Sequence, residues 1–166
     1  MPITKNINAE KIQGNLDINS VSATTISGGT FYGDGSGLTN LPSFTSTTSG
    51  SFGINVSNGN STISTGFKGY VKIPYGGTIT SWTLMSTSTG STSIDIWKDT
   101  ESNFPPTSAD TITGGNYAYL LNQTINSDNT LSGWTTNFSA NDIFAFEVIS
   151  VSGVNDINLT INVIKN

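Results

Sequence analysis

The fold class is decided by a stretch near the carboxyl end of the chain, Ile157-Asn158-Leu159-Thr160-Ile161-Asn162-Val163-Ile164. Apolar and polar side chains alternate there, because Ile157, Leu159, Ile161 and Val163 are separated by asparagine or threonine. Successive side chains of a β-strand point to opposite faces of its sheet. The pattern therefore predicts a strand with one buried face and one face in contact with water.

Runs of similar β-branched and aromatic character precede this stretch and are separated by turn residues. Together they give the candidate strands Phe52–Ser57, Phe67–Ile73, Ile79–Ser86, Ser93–Lys98, Tyr117–Leu121, Thr130–Phe138, Ile143–Val151 and Ile157–Ile164. Clusters of Ser, Asn, Asp and Gly mark the turns, among them Ser88-Thr89-Gly90 and Ser127-Asp128-Asn129. Since no segment has a helical period, the sequence predicts an all-β fold, an antiparallel β-sandwich of jelly-roll type over residues 52–166.

The alternation also assigns side chains to faces. It places Phe67 inward and Tyr70 outward on one candidate strand, and Phe144 inward and Ala145 outward on another. The long connection over residues 99–115 contains no strand pattern and is expected to cross between two sheets.

Uncharged polar side chains solvate this chain. Its 166 residues are only 10% charged, against about 25% in an average domain. The absence of His and Cys excludes Ser-His-Asp and Cys-His nucleophiles and His- or Cys-ligated zinc. A formal charge of -5 and the lack of Arg argue against nucleic acid, whose phosphates need clustered cations. No apolar stretch reaches the roughly 20 residues of a membrane span. We expect no enzymatic activity, no cofactor and no membrane insertion.

The first part of the chain has too few apolar residues to form a core of its own. In residues 1–42 they come mostly singly, between Asn, Ser, Thr and Gly. Ordering each residue costs about 1–2 kcal/mol of backbone entropy, which burial this sparse does not offset within one chain. We expect this segment to be disordered alone or ordered by other chains. Small β-turns stacked around a symmetry axis, forming a short shaft from several copies, suit its spacing best. A Ser/Thr-rich linker over residues 43–51 precedes the β-rich domain.

Five glycines crowd into residues 28–37. A phosphate-binding loop would need a following helix and usually a lysine, but Leu38-Thr39-Asn40-Leu41-Pro42 follows. A calcium loop needs several oxygen ligands, and Asp34 is the only carboxylate in the run. A structural turn is the favoured interpretation, because glycine reaches positive φ without a steric penalty. The turn and linker motif consists of Gly33, Asp34, Gly35, Gly37 and Pro42.

Several stretches carry a distinctive combination of residues. They are Gly66-Phe67-Lys68-Gly69-Tyr70-Val71-Lys72-Ile73-Pro74-Tyr75-Gly76-Gly77-Thr78-Ile79-Thr80-Ser81-Trp82-Thr83-Leu84, Ile94-Asp95-Ile96-Trp97-Lys98-Asp99-Thr100, Asn103-Phe104-Pro105-Pro106-Thr107 and Leu131-Ser132-Gly133-Trp134-Thr135-Thr136. They resemble a β-sandwich module that is frequent in tail-fibre, baseplate and head-decoration proteins of bacteriophages. Upstream, Phe31-Tyr32-Gly33-Asp34-Gly35-Ser36-Gly37-Leu38-Thr39-Asn40-Leu41-Pro42 looks like the short linking motif found before the globular head of phage fibre proteins.

This resemblance implies a homotrimeric appendage on the outer surface of a virion, synthesised in the cytoplasm of the bacterial host. Residues 1–42 would trimerise and attach to capsid or tail proteins. The expected function is that of a head fibre, capsid decoration or short tail fibre that displays a β-sandwich knob and adheres weakly to host-surface glycans. The alternative is a carbohydrate-binding, receptor-binding protein or lectin-like module of the tail, and a glycan hydrolase is the third hypothesis.

Aromatic side chains near loops are the candidates for glycan binding, because aromatic faces stack on the C–H surfaces of sugars. The candidate residues are Tyr70, Tyr75, Trp97, Tyr117 and Tyr119. Contact between copies explains Tyr70 and Tyr75 equally well. Trp82 and Trp134 lie inside strand patterns and are expected in the core.

The densest acidic group is Asp95, Asp99 and Glu101, which the pattern places at an exposed strand end. Hydrolysis of a glycoside needs two carboxyl groups about 5–9.5 Å apart, one of them in a hydrophobic pocket. Calcium would need the same oxygens together with loop carbonyls. Both hypotheses depend on whether the fold brings these three carboxylates together.

Overall fold

The computed structural model describes residues 48–166 of the chain. The predicted shaft over residues 1–42 lies outside the described residues, and with it the motif of Gly33, Asp34, Gly35, Gly37 and Pro42. Of the predicted linker only residues 48–51 are described, and they form the start of a strand. The sequence predicts these residues as linker because Thr48, Ser49, Gly50 and Ser51 show no apolar alternation, but their backbone pairs with residues 162–165.

Seven strands make up the described part of the chain, which confirms the all-β prediction. They are β1 Thr48–Ser57, β2 Gly66–Lys72, β3 Gly77–Asp99, β4 Ala118–Asp128, β5 Asn137–Phe138, β6 Ile143–Ser152 and β7 Asp156–Lys165. Two single-turn 3-10 helices, Glu101–Asn103 and Ser108–Asp110, lie between β3 and β4. No helix within residues 48–166 has the length and apolar character needed to cross a membrane.

All strand pairs are antiparallel, and the sheet has the order β1-β7-β3-β6-β2, with β4 and β5 also paired to β3. The sheet is curled. Phe52 of β1 contacts Phe144 of β6 with ring centroids 4.5 Å apart, although two strands separate β1 from β6 in the hydrogen-bonded order. The curl brings the apolar faces of the two ends of the sheet together.

Strand β7 has the predicted alternation. Ile157, Leu159, Ile161 and Val163 are at most 2% exposed, and the polar residues between them are half-buried. The same core contains fully buried side chains from β3 and β6, which are Trp82, Leu84, Ile94, Ile96, Phe144, Phe146 and Val148. Trp82 is thus a core residue, as predicted.

Strand β3 runs without interruption through the predicted turn at residues 88–90, so two candidate strands are one strand of 23 residues. Its first half pairs with β7 and its second half with β6, and the register of β4 shifts at Gly90. A Cβ on Gly90 would lie 2.5 Å from the Ser152 carbonyl oxygen and 2.7 Å from the Val154 side chain. Glycine is therefore used here for a close approach between backbones inside a bent strand, which sequence alone does not distinguish from a turn.

Residues 130–136 lie outside the strands and include a turn at Ser132-Gly133, so the predicted strand Thr130–Phe138 is reduced to Asn137–Phe138. The Asp128 carboxylate accepts hydrogen bonds from the amides of Thr130 and Leu131, at 2.8 and 3.2 Å, and Leu131 has a φ of 49°. These local bonds compete with strand pairing. Trp134 is consequently half-buried at the edge of the core, whereas the prediction placed it inside.

The connection over residues 99–115 returns along β3 itself, so the predicted crossing between sheets is wrong. Thr111 forms a bridge with Trp97, and the amide of Ile112 donates to the carbonyl of Ile96 at 2.9 Å. The side chains of Thr111 and Thr113 also donate to Asp95. These bonds hold the connection against the strand from which it departs.

Two predicted faces are wrong at β2 and β6. A register shift between Phe67 and Gly69 turns Phe67 outward, where it is 45% exposed and contacts Tyr70 with ring centroids 4.4 Å apart. Ala145 is fully buried because Tyr70 and Trp97 stand opposite it on the two neighbouring strands and cover the same face. Tyr70 itself is exposed, as predicted.

A buried ion pair joins β3 to the turn before β6. Lys98 Nζ lies 2.9 Å from Asp142 Oδ2, and the two side chains are 20% and 5% exposed. The same carboxylate oxygen accepts a hydrogen bond from the backbone amide of Ser139 at 2.9 Å. By contrast, the pair of Lys72 with Glu101 is exposed on both sides.

Candidate functional site

A groove of about 420 Å³ is lined in part by residues at both ends of β4. It is lined by Trp82, Ser93, Gly115, Asn116, Tyr117, Tyr119, Asp128 and Ser132. Two of the five predicted glycan-binding residues, Tyr117 and Tyr119, therefore share one site. Its volume lies within the range of about 300–1,000 Å³ that is usual for small-molecule sites.

Antiparallel pairing of β3 with β4 positions the groove. In the register, Tyr119 stands opposite Ser93 and Asp128 stands opposite Trp82. The Trp82 ring is 1% exposed, and it lies 6.1 Å, between ring centroids, from the Tyr119 ring, which is 48% exposed. The tyrosine thus presents an open face that is supported by a core residue.

Two loops close the groove at its end. Gly114 and Gly115 both have positive φ, and a Cβ on Gly114 would lie 2.6 Å from the carbonyl oxygen of Gly133 in the other loop. Trp134 Nε1 donates to the Asn116 carbonyl oxygen at 2.6 Å, which ties the loops together. Trp134 therefore shapes the groove from outside it.

Asp128 is the one carboxylate among the groove-lining residues. The backbone hydrogen bond from Thr130 is the largest cause that lowers the pKa of its carboxyl group below 3.8, and the Leu131 amide adds to the effect. The two amides also fix the orientation of the carboxylate, since each of its oxygens accepts one of them. Asp128 thus presents a fixed negative charge at neutral pH.

Several polar groups of the groove have no hydrogen-bond partner within residues 48–166. The side chains of Tyr117, Tyr119, Asn116 and Ser132 make no hydrogen bond to any residue in the range 48–166. The buried Nε1 of Trp82 also has no hydrogen-bond partner among the described residues. Buried polar groups are normally paired, so this N–H is an exception at the base of the groove.

The other three predicted aromatic residues lie elsewhere. Tyr70 belongs to an exposed cluster with Phe67 and Phe104, in which its ring centroid is 4.9 Å from that of Phe104. Tyr75 is half-buried and has Lys165 Nζ over its ring, 4.4 Å from the centroid. Trp97 Nε1 donates to Asp95 Oδ2 at 2.9 Å, so its polar edge is occupied.

The predicted acidic group does not form a site. Asp95 is 5% exposed, where the sequence placed it at an exposed strand end, and it accepts bonds from Ile96, Trp97, Thr111 and Thr113. Asp99 caps residues 100 and 103, and Glu101 pairs with Lys72. No three acidic side chains within residues 48–166 are grouped closely enough to hold a metal ion.

Sequence reasoning missed most of the groove. Ser93, Asn116, Asp128 and Ser132 have no pattern that marks them as binding residues, and Trp82 was assigned to the core alone. The turn signal at Ser127-Asp128-Asn129 is the closest indication, since it marks the carboxyl end of β4, where Asp128 lines the groove.

Comparison with known proteins adds no relative. No family model matches the chain, and neither the curated proteins nor the solved structures contain a match to it.

Proposed function

We propose that this chain is a structural protein of a bacteriophage particle, a non-enzymatic surface appendage that displays a β-domain and adheres weakly to glycans. The proposal is supported first by the resemblance of residues 66–84 and the stretches after them to phage virion modules. The groove of Tyr117 and Tyr119 is the observation that carries the adhesive part, because it combines an exposed ring with polar groups that have no hydrogen-bond partner in the described part of the chain.

The curled sheet supports a finer assignment, a β-sandwich of jelly-roll type. The bend of β3 at Gly90 divides the pairing, so that β1 and β7 belong to the first half and β2 and β6 to the second. The contact of Phe52 with Phe144 joins these two halves through their apolar faces. Two packed layers joined in this way are the arrangement of a sandwich.

Residues 1–42 are proposed to trimerise and to attach the chain to capsid or tail proteins, as a head fibre, capsid decoration or short tail fibre. Trimerisation would raise the effective strength of a weak groove by presenting three copies together. The purified full chain should then have a solution mass of three times 17.4 kDa, measured by light scattering.

The decisive experiment locates the chain in purified phage particles by mass spectrometry and by antibody labelling in the electron microscope. We expect the label on the outer surface at the head or at the tail. A variant without residues 1–42 should be absent from the particles while the full chain is present. A monomeric full chain, or particles that lack it, would refute the appendage.

The groove favours a second candidate, a lectin-like or receptor-binding module of the tail. The two candidates predict different adsorption to the host when the chain is missing from the particle. Loss of a receptor-binding protein abolishes adsorption to the host, whereas loss of a decoration leaves adsorption largely intact. Adsorption of particles that lack the chain separates them.

A further inference from the structure

We infer that the groove of Trp82, Tyr117, Tyr119, Asn116, Asp128 and Ser132 binds one unit of a neutral saccharide. The inference rests on the adhesive part of the proposed function and names its site and ligand class. It combines three observations, which are the exposed ring, the unused polar groups and the local charge.

The ring of Tyr119 supplies the apolar contact. It is 48% exposed, and the buried ring of Trp82 supports it from below. A ring held by a buried neighbour loses little conformational entropy when a ligand stacks on it. One face of a pyranose presents C–H groups in a nearly flat array. The Tyr119 ring can stack on this face while the tyrosine hydroxyl stays at the edge of the sugar.

The polar groups match the hydroxyls of a sugar. Asp128 uses one lone pair on each carboxylate oxygen for the amides of Thr130 and Leu131, which leaves acceptor positions for two adjacent hydroxyls. Asn116 and Ser132 each offer a donor and an acceptor with no partner within residues 48–166. A ligand with many hydroxyls satisfies these groups, whereas an apolar ligand would desolvate them without compensation.

The charge in the groove selects against acidic sugars. None of the four lysines within residues 48–166 lines the groove, and Asp128 repels a carboxylate. A quaternary ammonium is the competing ligand, since aromatic rings beside an acid attract cations. The Trp82 face is buried, however, so two tyrosines remain, and the quaternary ammonium group itself has no hydrogen-bonding atom for Asn116 and Ser132.

The test is a titration of the isotope-labelled full chain, followed by NMR, with glucose, galactose, mannose and N-acetylglucosamine, and separately with glucuronate and choline. At least one neutral sugar should shift the indole N–H signal of Trp82, assigned with Trp82→Phe, and the amides of Tyr117, Tyr119 and Asp128. Glucuronate and choline should leave these signals unchanged at the same concentrations.

The variants Tyr119→Ala and Asp128→Asn should each weaken sugar binding about tenfold, which corresponds to about 1.4 kcal/mol. Tyr70→Ala is the matched control, because it removes an equally exposed ring outside the groove. Tyr119 is a surface residue, so its variant remains informative if Asp128→Asn unfolds the turn. An unchanged affinity in Tyr119→Ala overturns the site.

Two results overturn the ligand class. A response to choline with none to neutral sugars makes the groove a cation site, and no response to any of these ligands removes the inference. Neither result bears on the appendage, since its test is the presence of the chain in the particle. Conversely, a chain that binds sugar and is absent from particles keeps the groove and loses the appendage.

Discussion

Replacing Asp95 by asparagine should destabilise the β-domain strongly, although the two side chains have almost the same shape. The carboxylate is 5% exposed and accepts four hydrogen bonds. On Oδ1 the donors are the Ile96 amide at 2.8 Å, the Thr111 hydroxyl at 2.7 Å and the Thr113 hydroxyl at 2.6 Å. On Oδ2 the donor is Trp97 Nε1 at 2.9 Å. All four groups donate, so the NH2 group of an asparagine at position 95 would find no acceptor among them.

The magnitude follows from the orientation of the new amide. If its NH2 group replaces Oδ2, the bond to Trp97 is lost, at about 1.5–3 kcal/mol for a bond to a charged group. The three remaining bonds lose their charge assistance and fall to about half their strength. If the NH2 group instead replaces Oδ1, the three hydrogen bonds to that oxygen are lost. The neutral amide is easier to bury than the carboxylate, which offsets part of the loss, and the net cost is about 2–3 kcal/mol.

Urea unfolding of the full chain, followed by tryptophan fluorescence, measures this cost. The midpoint should fall while the slope of the transition stays constant. Asp99→Asn on the same strand is the matched control. Asp99 bonds the Thr100 amide and the Asn103 side chain through one oxygen, which the amide retains, so the change should stay within about 0.5 kcal/mol. Equal stabilities of the two variants would contradict the four-donor geometry.

Three further predictions test other parts of the domain. Lys98→Met should lower the free energy of unfolding by about 3–5 kcal/mol, because it leaves the buried Asp142 carboxylate without its ion-pair partner. Lys72→Met, in the exposed pair, should lower it by less than about 1 kcal/mol, and equal urea midpoints of the two variants would show that burial is not decisive. Gly90→Ala should prevent the close passage of β3 past residue 152 and lower the melting temperature by more than about 10 °C, whereas Thr89→Ala, its exposed neighbour, should change it little. The lowered pKa of Asp128 means that its stabilising contribution is present above 3.8 and is lost as the pH falls through the lower, folded-state pKa. Asp128→Asn should therefore lose less melting temperature than the wild type as the pH falls below 3.8, and identical acid profiles would rule out this role.

The parts of the fold that sequence predicts well are those with one covered face. In β7 the polar residues between Ile157 and Val163 remain partly in contact with water, so alternation survives in the sequence. In β6 it fails at Ala145, because Tyr70 and Trp97 cover the second face and no polar residue is needed there. Alternation records solvent contact, and it is lost wherever tertiary packing removes that contact.

The remaining wrong predictions fall at or near glycine and aspartate residues, because each of these residue types occurs in more than one kind of local structure. Gly90 has the sequence surroundings of a turn but permits a close approach within a strand. Asp128 ends β4 as a turn residue and also stands in the groove. Trp134 follows it in a β-like run that these local hydrogen bonds prevent from pairing. The groove could not be predicted for a related reason, because Trp82 and Asp128 meet there only through the register of β3 and β4.

Asp95 connects the stability of the domain to the geometry of the groove. Its bonds to Thr111 and Thr113 hold the end of the connection, and the next residues are Gly114, Gly115 and Asn116 at the rim. The Asn116 carbonyl oxygen accepts a hydrogen bond from Trp134 Nε1, so the loop that contains Trp134 is held through the loop that contains Asn116. A chain with few charges thus places a buried carboxylate where it fixes both loops. The groove is therefore a product of the core network, and a change at Asp95 reaches it without touching any of its lining residues.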